Sequence, residues 1–172
     1  PELFPLQQLA RALAAGMRAT PHERIVEDLP PGNERLRRQI ALRYALSGTQ
    51  VAPEEIVITN GALEALTLSL QCVTKPGDAV IVESPCFYAA LQALERLGLK
   101  AVEVPCDPKR GLDLAAFEAA LRRQAVKACW LMPTFHNPTG STLPESGRRE
   151  VMRLLEARDI PLIEDDVYAE LY

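Results

Sequence analysis

The run Leu131-Met-Pro-Thr-Phe-His-Asn-Pro-Thr-Gly140 constrains the fold more than any other stretch of the chain. Ala128 to Met132 is continuously apolar rather than alternating, which predicts a strand buried on both faces. Pro133 stops it, and Asn137-Pro138 with Gly140 forces a tight turn. An amide side chain is thereby held at the carboxyl end of a strand, where open α/β sheets bind their ligands. A second strand, Pro161 to Asp166, brings carboxylates to the same edge, and Tyr168 follows. An amide, a carboxylate and a phenol at neighbouring strand tips make a polar site.

The rest of the chain reads as its frame. Leu6, Leu9, Leu13 and Met17 recur at helical spacing, predicting an amphipathic helix over Leu3 to Met17. Asn33 is placed to cap a helix through Leu46, with Leu36, Ile40 and Tyr44 on one face and Arg35, Arg38 and Arg43 toward solvent. From Pro53 strands and helices alternate. Strands are predicted at Ile56–Thr59, Ala79–Val82, Lys100–Val104, Ala128–Met132 and Pro161–Asp166. Helices are predicted at Ala62–Val73, from Pro85 to about Leu97, after Asp113 through Arg123, and from Pro144 through Arg158. This pattern predicts one domain of three α/β/α layers around a mostly parallel sheet, residues 1–50 being a helical lead-in and 51–172 the alternating part. At 172 residues the chain is long enough to bury roughly 70% of its unfolded surface.

Several function classes are disfavoured. A net charge of -4 gives this segment no electrostatic basis for nucleic-acid binding. The longest apolar runs fall far short of a membrane span. Cys72, Cys86, Cys106 and Cys129 lack CxxC spacing and lie in or beside apolar elements, so buried reduced thiols in a cytoplasmic protein are expected. His22 and His136 show no metal-ligand spacing, and no metal is expected. His136 is expected to line the pocket or face solvent. The chain opens on Pro1 without an initiator Met, and it is expected to be a segment of a longer protein.

Three further features bear on the site. Thr59-Asn60-Gly61-Ala62-Leu63 is a strand-to-helix turn whose first N–H groups lack intrahelical partners, so it is either an ordinary turn or an anion seat. Phe87, at a helix start, either packs in the core beside a surface Tyr88 or lies flat against a planar ligand. Along the last strand Glu164 and Asp166 face one way and Asp165 the other, and a buried carboxylate there needs a cationic partner.

Taken in order, Pro31-Gly32 with Leu36-Arg37 and Ile40-Ala41, Thr59-Asn-Gly-Ala62, Glu83-Ser-Pro-Cys-Phe87, Asn137-Pro-Thr-Gly140 and Asp165-Asp-Val-Tyr168 resemble the class I/II aminotransferases. These are the fold-type I enzymes of pyridoxal 5′-phosphate (PLP). The wording looks most like the aminotransferase-like domain of MocR-type regulators of the GntR family. The resemblance implies an incomplete PLP-dependent transferase-like large domain with PLP as cofactor. Gly61, Ala62 and Leu63 would then present N–H groups to the phosphate, and Phe87 would stack on the ring. Asn137 and Tyr168 would donate to its phenolic oxygen, and Asp165 would meet the protonated ring nitrogen.

The resemblance also implies what lies elsewhere. The family's Schiff-base lysine falls beyond Tyr168, and none of Lys75, Lys100, Lys109 and Lys127 occupies that motif, so no catalytic residue is expected in this segment. The parent is expected to be a homodimer that moves an amino group from an amino acid to a 2-oxo acid, or a regulator whose domain senses PLP or an amino compound. In the family the strand before Gly61 pairs with later strands. The segment alone is therefore expected to expose a sheet edge or helix face, and either to self-associate or to have been cut from a longer folded chain.

Overall fold

The structure is a computed structural model, and it describes residues 5–20 and 29–171. The start of the first expected helix, before residue 5, and His22 lie outside them. The backbone divides into two compact units, Pro1–Thr59 and Asn60–Tyr172.

In the first unit, α1 (Leu6–Ala19) and α2 (Glu34–Leu46) precede a short 3₁₀ turn, Pro53–Glu55. The apolar stripe of α1 is exposed at Leu6, Leu9, Leu13 and Met17. Asn33 caps α2 as expected, its side chain accepting from the Leu36 N–H at 3.1 Å. Arg37, half-buried, ties the start of α2 to the later turn, donating to the Gly32 carbonyl at 3.1 Å and the Pro53 carbonyl at 2.6 Å. Gly32 is obligatory: its φ is +96°, and a Cβ there would lie 2.6 Å from the Ile58 Cβ.

Ile56–Thr59 is not a strand, contrary to its β-branched composition. A strand needs a neighbour to take up its N–H and C=O groups, and none lies alongside among the described residues. Ile58 instead donates to the Pro31 carbonyl at 2.9 Å.

The second unit runs α3 (Ala62–Val73), β1 (Ala79–Ser84), α4 (Tyr88–Arg96), β2 (Lys100–Asp107), β3 (Gly111–Leu112), α5 (Leu114–Arg123), β4 (Val126–Leu131), α6 (Glu145–Glu156) and β5 (Leu162–Glu164). The sheet order is β3-β2-β1-β4-β5. All neighbours are parallel except the β2–β3 hairpin. The hairpin strand β3, not Ile56–Thr59, completes the five. Helix α4 starts three residues later than expected because the chain bends at Pro85 and Phe87 is still extended, with ψ 118°. Strand β5 is shorter than expected, leaving Asp165 and Asp166 just past its end.

Side-chain alternation splits the core into two layers, one on each face of the sheet. Ala79 and Ile81 of β1 and Cys129 and Leu131 of β4 pack with Phe117 and Leu121 of α5 and Val151, Leu154 and Leu155 of α6. Val80 and Val82, with Ala128 and Trp130, face Leu66 and Leu70 of α3 and Ala90 and Leu94 of α4. The result is the expected α/β/α sandwich. Helix α4, which follows β1, and α6, which follows β4, thus cover opposite faces. The chain leaves these adjacent strands in opposite directions, and a topological switch point opens at their carboxyl ends.

Cys106 and Cys129 are buried, but Cys72 is exposed and Cys86 half-buried, all as free thiols. Cys72 departs from expectation because Leu66 and Leu70 supply the inward face of α3, and position 72 falls outside it. Among the described residues no helix is long and apolar enough to cross a membrane.

Candidate functional site

The loop from Pro133 to Leu143 is closed at its base by the Leu143 N–H, which donates to the Pro133 carbonyl at 2.8 Å. Within it, the His136 N–H donates to Ser141 O at 2.8 Å and the Gly140 N–H to His136 O at 2.6 Å. Arg148 of α6 braces the outside, donating to the carbonyls of Leu143 (3.0 Å) and Pro133 (3.1 Å) and to Thr134 Oγ1 (3.0 Å). The loop is thus an ordered structure despite its lack of helix or strand.

Its inner side rests on polar groups that sequence reasoning did not bring together. Glu83, at the tip of β1, is 3% exposed, and its Oε2 accepts from the Met132 N–H at 2.7 Å. His136 is 2% exposed, so it faces neither solvent nor an open pocket. Its Nε2 lies 3.5 Å from Glu83 Oε2, and its Nδ1 is 2.8 Å from Thr139 Oγ1. Thr139 Oγ1 is 2.8 Å from Ser141 Oγ, which is 3.3 Å from Cys106 Sγ of β2. Burial raises the Glu83 pKa to about 7, the Met132 N–H and the Cys106 thiol offsetting only part of that cost. Burial lowers the His136 pKa, so the imidazole stays neutral near pH 7. The contact is therefore a polar one to a neutral imidazole rather than an ion pair. Glu83, Cys106 and His136 are the one grouping among the described residues whose ligand-type atoms lie close enough (within 4.8 Å) to hold a metal ion. Those atoms are engaged by the hydroxyls and the backbone amide just named. One sequence signal was available: Glu83 ends the apolar run Ala79–Val82, and a carboxylate in that position needs partners.

The predicted site residues all fall in the second unit. Asn137 is half-buried on the braced loop, and its side-chain amide makes no hydrogen bond among the described residues. Asp165 continues the β5 ladder, its N–H donating to the Leu131 carbonyl at 2.9 Å. Its carboxyl is half-buried and its pKa raised, burial being the largest cause; the Val167 amide and Trp130 indole pull it down and Asp166 pushes it up. The Trp130 indole N–H is buried without a partner at hydrogen-bonding distance, so it acts on Asp165 as a nearby dipole and not as a formed bond. Asp165 forms no ion pair among the described residues, whereas Glu164 lies 3.8 Å from Arg148. The exposed Glu164 and Asp166 flank a more buried Asp165, as alternation predicted.

Phe87 and Tyr168 both pack against the layer that holds Trp130 and Met132. Phe87 is half-buried and tilted against Tyr88 (centroids 5.0 Å apart, planes at 59°), and Tyr88 is exposed. Gly61, Ala62 and Leu63 form the exposed start of α3, with Gly61 at φ +104°. The Glu64 carboxylate of that first turn accepts from the Asn60 N–H at 2.5 Å and from its side-chain amide at 3.2 Å. Any anion held there shares the turn with this negative charge.

The family model for aminotransferase class I and II matches residues 5–172. The chain belongs to that family. It is 58% identical over its whole length to the Escherichia coli (strain K12) protein named uncharacterized HTH-type transcriptional regulator YdcR, covering 37% of that protein. It is 33% identical to the 2-aminoadipate transaminase of Thermus thermophilus, covering 100% of this chain and 42% of that protein. Among solved structures, LysN, the α-aminoadipate aminotransferase of Thermus thermophilus complexed with N-(5′-phosphopyridoxyl)-L-leucine, superposes with a TM-score of 0.82 at 33% identity, over 96% of this chain and 41% of that one. An archaeal alanine:glyoxylate aminotransferase superposes with a TM-score of 0.87 at 32% identity, over 96% and 42%. The chain thus spans about two fifths of the length of its aminotransferase-family relatives, which include both transaminases and HTH-type regulators.

Proposed function

We propose that this aminotransferase-family segment forms the cofactor-binding part of a PLP-dependent domain. The observation that carries the reading is Asp165: a half-buried carboxyl, raised in pKa by burial and without an ion-pair partner among the described residues. A protonated pyridine nitrogen is the cation such a group lacks. Other groups of this chain suit the same ring. Asn137 and Tyr168 donate to its phenolic oxygen, Phe87 offers an aromatic face, and the N–H groups of Gly61, Ala62 and Leu63 hold the phosphate. When bound, PLP supplies an electron sink for the pair left when a substrate α-proton departs. Asp165 keeps the ring nitrogen protonated, through a charge-assisted bond worth about 1.5–3 kcal/mol.

The lysine that such chemistry requires comes from outside this chain. Lys75, Lys100 and Lys127 lie toward the amino-terminal ends of the strands, and Lys109 is exposed on the β2–β3 hairpin. The whole protein is a cytoplasmic homodimer that transfers an amino group from an amino acid to a 2-oxo acid. A second reading, a regulator that senses PLP or an amino compound, is favoured by the 58% identical HTH-type relative. Turnover of amino acid and 2-oxo acid pairs by the whole protein separates the two.

The cofactor assignment is tested by Asp165→Ala in the whole protein, with PLP binding followed by absorbance. Loss of that bond weakens binding by about tenfold or more. Unchanged affinity and spectrum would overturn the assignment.

A further inference from the structure

The polar groups around the Asn137 loop divide into two sets. Glu83, His136, Thr139, Ser141 and Cys106 are joined to one another beneath the loop, and His136 and Thr139 bracket Asn137-Pro138 in sequence. The chain of contacts runs from the tip of β1, through the loop, to β2, and Glu83 also grips the Met132 N–H just past β4. Three strand tips are thereby pinned to the residues on either side of Asn137. The Asn137 amide itself takes no part.

We infer that Glu83 and His136 are positioning residues: through Thr139 they hold the loop so that the Asn137 amide is presented outward, already oriented for its ligand. The inference rests on the PLP reading above and deepens it. Neither residue touches the cofactor. The same Glu83 oxygen meets the Met132 N–H and His136 Nε2, so a neutral side chain whose oxygen accepts there is sufficient at position 83, and Gln serves where an aliphatic residue does not. Pre-orientation spares the ligand the cost of ordering the loop on binding.

The test is a double-mutant cycle on PLP affinity in the whole protein, read by cofactor absorbance rather than turnover. Asn137→Ala weakens binding and shifts the ionisation of the bound cofactor. Glu83→Leu weakens it by about tenfold and shifts the spectrum in the same direction, whereas Glu83→Gln stays within about threefold of wild type. Placed on the Asn137→Ala background, Glu83→Leu has less than about a twofold further effect, because the group through which it acts is gone. Thr139→Val, at a half-buried loop position, runs the same cycle should Glu83→Leu fail to fold. Equal losses with and without Asn137 would overturn the inference alone. An Asn137→Ala protein that binds PLP like wild type would overturn the cofactor reading and the inference together.

Discussion

Replacing Glu83 by Gln should change the pH dependence of stability with a sign opposite to that of most carboxylates. Folding raises the Glu83 pKa from 4.5 to about 7. The folded state therefore binds this proton more tightly than the unfolded chain. Its contribution to stability is fully present below about pH 4.5 and is lost as pH rises through 7. A shift of that size corresponds to about 3 kcal/mol between the two limits. Because the side chain is 3% exposed, solvent screening removes little of it. Gln keeps an acceptor for the Met132 N–H and cannot ionise. Urea unfolding of both proteins should give nearly equal stabilities near pH 4, with the Gln variant ahead by about 3 kcal/mol near pH 9. His136, whose pKa is lowered by burial, makes both proteins lose stability on acidification and cancels from the difference. A difference that did not vary with pH, or a Gln variant less stable than wild type near pH 9, would refute the claim that burial dominates at this site.

Two further outcomes follow from packing. Gly32→Ala forces a Cβ into Ile58 at a φ of +96° and should cost about 2–5 kcal/mol, measured by the shift in unfolding midpoint. Phe117→Ala empties a fully buried ring site between α5 and the sheet and should cost about 3–5 kcal/mol by the same measurement, leaving affinity for PLP nearly unchanged in whatever fraction stays folded.

Legibility in the sequence followed the range of the forces involved. Helix α5 could be placed at both ends because its signals are local: Asp113 accepts from the Ala116 N–H at 3.0 Å, and the run from Leu114 carries the apolar period. The double burial of β4 was readable from Ala128–Met132 for the same reason. Ile56–Thr59 failed because a strand is defined by its neighbour, which no local pattern names. The two-residue β3 was missed because its only cause is the return of the hairpin onto β2. Of the candidate site, the positions of Asn137, Asp165 and Tyr168 could be proposed from the turn and the strand end that carry them. Those of Glu83, Cys106 and Ser141 could not, since they meet only after three strands are laid side by side.

That contrast separates scaffold from site. Burying a polar group without a partner costs about 1–3 kcal/mol, so a folded chain commits its inner polar atoms to each other wherever it can. Beneath the loop it has done so: the Glu83, His136, Thr139 and Ser141 side chains each meet another member of the set. At the switch point between β1 and β4 it has not. The Asn137 amide, the Tyr168 hydroxyl and the Asp165 carboxyl are half-buried on elements that meet the carboxyl ends of β4 and β5, yet none is paired with another side chain among the described residues. Two donors without a hydrogen-bond partner and a desolvated acid without an ion-pair partner, beside a satisfied network, suit a polar, cationic aromatic ring. On the reading proposed above, a bound ring would give the Asn137 amide and the Tyr168 hydroxyl partners and the Asp165 carboxyl a cation. Omitting the ring should therefore lower stability, and saturating PLP should raise the unfolding midpoint of the whole protein by mass action. A midpoint that ignored PLP would mean that these groups are satisfied in some other way.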